Sequence, residues 1–180
     1  MMRLLLAVAL CATLSTVESA PLDELVLPDH RGGTCRLDGV RDRLLMYFRT
    51  GERVVAKRCD QVLAKRLGPG RPLVRVIDGR EYPPEDRATL TRRIADAVGD
   101  EPVTFLLDWD GAVARRLALP EAPLLFVGIA ADGRATGSTP CSFDRDSLSR
   151  VLALLPALDQ TAFTADDLAI IKRSPKDARP

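Results

Sequence analysis

Histidine is nearly missing from this sequence, with His30 alone among 180 residues. A serine-histidine-aspartate site would have to be assembled around that one ring, and no nucleophile-elbow sequence accompanies it. Zinc meets the same shortage, because His30 would need scattered cysteines to converge on it without any ligand spacing. No metal and no cofactor is therefore expected. Aromatic residues make up 4% of the chain and the formal net charge is only +1. Nucleic-acid binders need a basic surface, and single-strand binders need stacking rings beside it, so nucleic acid is excluded as a partner. The longest apolar stretch near the N-terminus, residues 4–12, falls far short of the ~20 residues that span a bilayer, so no transmembrane segment is expected. The glycines of "LGPGRP" lack the Lys-Ser/Thr that completes a phosphate loop, and "DWDG" lacks the later acidic ligands of a calcium loop.

What the N-terminus does have is one arginine, the apolar run and then small and polar residues, the order of a secretory signal peptide. Cleavage after Ser19 is expected, since a cut after Ala20 would leave Pro21 at the new terminus. Cys11 then leaves with the leader. Loss of Arg3 and Glu18 keeps the net charge at +1, and the mature chain is expected to be periplasmic or secreted. The remainder has the size of one compact domain with a core of its own.

Along that remainder, residues 25–27 and 34–37 are short extended runs around a Gly-Gly turn, a hairpin signal. "DRLLMYF" is a continuous apolar run that reads as a buried strand. From Val54 to Leu67 the apolar residues Val55, Cys59, Val62, Leu63 and Leu67 recur at helical spacing, and "GPG" closes the segment. "PLVRVID" reads as a strand, "EDRATLTRRIADAV" as a helix, "PVTFLLD" as a strand and "WDGAVARRLAL" as a turn and short helix. "PLLFVGIA" is a buried strand, "ADG" a tight turn, "RATGST" an edge strand and "DRDSLSRVLALLPAL" a helix. This order predicts an α/β domain, a mixed sheet with helices on both faces, over residues 20–158. Residues 159–180 form a tail in which Thr164 would cap one more short helix.

These motifs resemble the thioredoxin-like superfamily, in particular the exported branch that joins the membrane-tethered thiol oxidoreductases to the peroxiredoxin-like alkyl hydroperoxide reductase group. The likeness is carried by "LPDHRGGTCRL" as the entering hairpin, "LLMYF" as the strand before the active site, the helix after it, "FLLDWDGAVARRLAL" and "EAPLLFVGIAADGR". The resemblance implies a thioredoxin-like fold. It also places Pro123 where the family keeps a cis-proline facing the active site.

The sequence departs from the family where the chemistry resides. Setting "LLMYF" against the family's strand puts Arg53 and Ala56 at the positions of the two redox cysteines. The peroxiredoxin pattern Thr-x-x-Cys meets Thr50-Gly-Glu-Arg53, so the threonine is kept and the nucleophile is not. No cysteine lies anywhere between Gly51 and Lys57. A helix N-terminus favours an anion such as a thiolate, whereas an arginine sets positive charge beside positive dipole. Two readings of Arg53 follow: it points to solvent or pairs with Glu52 in a degenerate site, or it joins Arg49 and Lys57 in binding an anionic group. Eight basic and three acidic residues fall between Arg41 and Arg66, which gives the second reading its basis.

The mature cysteines, Cys35, Cys59 and Cys141, are odd in number and allow three pairings for one bridge, with any of them otherwise a thiol. Cys59 shares the apolar helix face and reads as buried, and Cys35 shares a strand face with Leu37. Cys141, between the last strand and the last helix, is the one expected to be exposed. The function expected is a non-catalytic exported thioredoxin-like domain that binds a protein partner or anionic ligand near Arg53 and Pro123. The alternative is an atypical oxidoreductase or peroxidase working through Cys141 or Cys59.

Overall fold

The computed structural model describes residues 22–67, 73–142 and 144–154. The expected leader, the "GPG" helix stop and the tail lie outside them. Five strands form the main sheet in the order β5-β4-β3-β6-β7. The central strand is β3 (Arg43–Arg49); β4 (Val74–Asp78) and β5 (Phe105–Asp108) run parallel to it on one side. On the other side β6 (Leu124–Ile129) is antiparallel to β3, and the edge strand β7 (Ala135–Pro140) is antiparallel to β6. A separate two-stranded hairpin, β1 (Val26–Pro28) with β2 (Thr34–Arg36), enters the domain. The mixed sheet and the entering hairpin are those that the sequence leads one to expect.

Side chains alternate across a strand, so β3 feeds two cores. Leu44, Met46 and Phe48 face the helices α1 (Arg53–Leu67) and α4 (Arg145–Ala153), meeting Ala56, Cys59, Val62, Leu63, Leu148 and Val151. Ile94 of α2 (Pro84–Val98) packs against the edge of the same core. Leu45 and Tyr47 point the other way, toward Leu27 and Leu37 of the hairpin region and Val113 of α3 (Ala112–Arg116). Helices thus cover both faces, and each buried leucine or phenylalanine contributes ~1.5–3 kcal/mol through the water it sheds.

Polar groups fix how these layers meet. Asp60 on α1 accepts from the Arg75 guanidinium at 2.6 Å, a half-hidden ion pair that ties the helix to β4. Asp144 caps α4 by accepting from Ser147 N–H at 2.8 Å, while Ser147 Oγ accepts from Asp144 N–H at 3.3 Å. This reciprocal box satisfies donors that a helix start otherwise leaves open.

His30, expected in a polar turn, is in that turn but only 2% exposed. Its backbone N–H donates to Phe105 carbonyl at 3.0 Å, and its Nδ1 accepts from Phe105 N–H at 3.2 Å. The hairpin turn therefore docks against the start of β5, with the His30 ring buried. Burial disfavours the imidazolium and lowers the His30 pKa below its ordinary value. A lowered pKa in the folded state means that the stability this ring contributes is whole above the unfolded value of about 6.5 and is lost as the pH falls through the lowered one. Because the chain has a single histidine, proton NMR titration reads it directly. The imidazole is predicted to titrate below about 6.5, with chemical stability falling over the same window. Titration at or above that value would contradict the docking.

Candidate functional site

The parallel strands end in polar residues at one edge of the sheet. Register places Arg49 opposite Asp78 and Asp78 opposite Asp108, so one row of charged side chains crosses the carboxyl ends of β3, β4 and β5. This is the edge at which open α/β sheets take ligands. Arg49, Asp78, Arg80, Glu81 and Glu121 line a cavity of about 340 Å³ there.

Asp108 is 1% exposed and fully engaged: it accepts from Ala112 N–H at 2.7 Å, Val113 N–H at 3.0 Å and Tyr47 O–H at 3.2 Å. It caps the start of α3 from four residues upstream, a structural use of the "DWDG" stretch. Burial pushes its pKa up against the pull of those donors. Burial and the nearby Asp108 carboxylate push the Tyr47 phenol up as well, so it stays a neutral donor. Asp78 is treated differently. Burial would raise it, but Arg80 donates through Nε at 2.9 Å, Nη2 at 2.7 Å and its backbone N–H at 3.2 Å, and the carboxyl ends below the usual range. The hydrogen bond to Asp78 in turn holds Arg80 firmly protonated.

Two glycines make room for Arg80 and for the neighbouring Trp109. A Cβ on Gly111, whose φ is +70°, would lie 2.5 Å from Arg80 Cδ, and one on Gly79 would lie 2.3 Å from the Trp109 ring. Trp109 in turn sits beneath the Arg87 guanidinium, 5.5 Å from the ring centre.

Glu121 lines the cavity from an exposed position. One of its oxygens accepts from Arg49 Nη2, and the other lies 3.5 Å from Arg80 Nη2. Beside them Thr50 Oγ1 donates to Glu81 at 3.0 Å and shares a hydrogen bond with Tyr82 Oη. Thr50 is thus a strut for the loop after β4.

Arg53 stands at the first residue of α1, behind a 3-10 turn over Thr50–Glu52, and no acidic residue occupies the helix's first turn. Arg53 is exposed, and its side chain makes no hydrogen bond or ion pair among the described residues, Glu52 included. Ala56 is 1% exposed and faces the core. Lys57 pairs with Glu101 at 3.5 Å. Of the three cations singled out in the sequence, Arg49 and Lys57 are therefore already answered by carboxylates. The residues that sequence reasoning missed are Arg80 and Glu121, which come from different loops and share no motif with Arg49.

Two expectations are corrected. Cis peptide bonds are absent among the described residues, so Ala122–Pro123 is trans. Pro123 does sit just before β6 beside β3, but its carbonyl accepts from Arg49 N–H at 3.0 Å and extends the ladder, and the intrinsic trans preference of ~0.5–1 kcal/mol prevails. Cys141 is buried, at 8% exposure, because its backbone N–H donates to Leu124 carbonyl and its thiol turns under α4. Cys59 is fully buried on α1, and Cys35 is half-buried against the hairpin core with its thiol toward Arg36 carbonyl.

No protein-family model and no curated protein sequence matches the chain. Solved structures do. The chain is similar to the exposed lipoprotein thioredoxin Etrx1 of Streptococcus pneumoniae, with 15% identity, 72% of this chain and 96% of that one covered, and a TM-score of 0.55. It is similar to a thiol:disulfide interchange protein DsbE of Chlorobium tepidum, with 17% identity, 77% and 97% coverage and a TM-score of 0.55. A secreted disulfide oxidoreductase of Mycobacterium tuberculosis matches at 16% identity, 74% and 96% coverage and a TM-score of 0.50. The fold is thioredoxin-like. Identities this low carry the fold and not the activity.

If Arg53 and Ala56 stand where the family's cysteines stand, the double substitution Arg53→Cys plus Ala56→Cys restores two thiols one helical turn apart, where a bridge closes. The parent chain is predicted to reduce insulin with dithiothreitol no faster than background. The double variant is predicted to form the intrahelical disulfide and turn over weakly, its exposed thiol having a pKa below the ~8.5 of free cysteine. A folded double variant whose thiols neither pair nor react faster than free cysteine would sink the alignment.

Proposed function

We propose that this chain is an exported, non-catalytic thioredoxin-like domain that binds a partner or ligand through an anionic group held between Arg49 and Arg80. The leader over residues 1–19 and the domain over 20–158 belong to that reading, supported by the signal-like N-terminus. Among the described residues no helix is long and apolar enough to cross a membrane. The single observation that carries the binding reading is Glu121, whose carboxylate bridges Arg49 and Arg80 in the lining of the cavity. It shows the two guanidiniums spaced to share one carboxylate, and an incoming carboxylate or phosphate would take its place. Arg53, exposed nearby in the chain, adds positive potential at the helix start.

The competing reading, a thiol enzyme using Cys141 or Cys59, has two observations against it. Both thiols are buried, and the Cys59 thiol is pushed well up by its hydrogen bond with Cys141 and by burial, the reverse of an activated nucleophile.

Calorimetric titration with an Asp/Glu-rich peptide at low and high salt tests the binding reading. Exposed ion pairs are worth ~0.2–1 kcal/mol each and Glu121 makes two, so Glu121→Gln is predicted to strengthen binding about two- to thirtyfold. Arg49→Gln is predicted to weaken it severalfold, and added salt to weaken it in the parent. Binding indifferent to both substitutions, or none to any form of the protein, would overturn the proposal.

A further inference from the structure

We propose that Cys59 and Cys141 form a structural disulfide that pins α1 to the junction between β7 and α4. Their sulfurs lie 3.6 Å apart across 82 positions of sequence. Both side chains belong to the core between the sheet and the helices, one wholly buried and the other nearly so. The Cys59 thiol has the Cys141 sulfur as its sole side-chain hydrogen-bond partner among the described residues. Backbone hydrogen bonds hold both stations: Cys59 is well inside α1, and Cys141 N–H donates to Leu124 carbonyl at 3.1 Å. A bridge requires sulfurs ~2.05 Å apart, so closure needs about 1.5 Å of approach, shared between two side-chain torsions. No other pair of mature cysteines is in such contact: Cys35 packs on the opposite core with the hairpin.

Bridge formation is a thiol-disulfide exchange. Both S–H bonds are lost and one S–S bond forms; two electrons and two protons pass to a small disulfide such as glutathione disulfide, which leaves as two thiols. Because the folded core hides both sulfurs, exchange takes place during folding, while they are accessible. The bond closes a long loop of the unfolded chain, the case in which a cross-link has most effect. It fixes the helix whose N-terminus carries Arg53 to the junction of the edge strand β7 with α4. This inference stands apart from the anion-binding reading and survives its failure.

The test uses the full chain, reduced and unfolded, then refolded in a glutathione/glutathione disulfide buffer, alkylated in denaturant and digested with trypsin. The expected product is the peptide 59–65 joined to the peptide 135–145, with Cys35 alkylated in the peptide 32–36. Reduction is expected to lower the thermal midpoint of the folded protein by about 5–15 °C. The double substitution Cys59→Ala plus Cys141→Ala should make that midpoint indifferent to reductant. Alkylation of Cys59 and Cys141 after oxidative refolding, or a bridge from either to Cys35 or Cys11, would overturn the proposal, and the peptide map gives that answer without any variant.

Discussion

The arrangement depends on the burial of β3 on both faces. Leu44 to Phe48 are all buried, odd and even positions serving different cores, so the strand has no freedom of register or tilt. A one-residue slip would exchange the two faces and carry Arg49 away from the face it shares with Asp78 and Asp108. From Arg49 the chain passes through a single 3-10 turn into α1, leaving no loop to absorb a change. The position of the helix start, and of the charged row beside it, is therefore set by apolar packing several residues upstream.

On that rigid edge, electrostatics run opposite to what a thiol catalyst needs. A helix N-terminus is an anion site by construction, and a redox enzyme spends it on a thiolate. Here it carries an arginine, and the cysteines lie in cores away from it. The remaining charges form internal couples: Arg80 with the buried Asp78, and Arg49 with the exposed Glu121. The first couple has a buried carboxylate and fixes the loop after β4. The second is open to solvent, weakly held and replaceable, and this is why the binding reading rests on it and not on Arg80 with Asp78.

Much of the fold was legible because apolar periodicity reports burial directly. "DRLLMYF" and "PLLFVGIA" could only be two-sided strands, and Val55, Cys59, Val62 and Leu63 marked the buried face of α1. The absence of cysteine between Gly51 and Lys57 was legible too, since it needs only a residue type at a position. The site itself was not. Arg80 and Glu121 lie 31 and 72 positions beyond Arg49, and only the strand order brings the three together. Cys141 was misplaced because "STPCSFD" is polar in composition, whereas the thiol alone turns under α4 while Pro140 and Ser142 beside it stay exposed. Pro123 was expected in a cis bond, but peptide geometry depends on the partner across the ladder, which sequence does not display. The docking of His30 was not legible either, its partner being a backbone amide 75 positions away.

The central claim is that this thioredoxin-like scaffold holds no activated thiol. Native titration of the full folded chain with Ellman's reagent across neutral pH measures that most directly. The account predicts that no thiol reacts faster than free cysteine, with Cys59 and Cys141 silent until the protein is unfolded and reduced. A thiol that reacts rapidly in the native state, with an apparent pKa well below the ~8.5 of free cysteine, would contradict it.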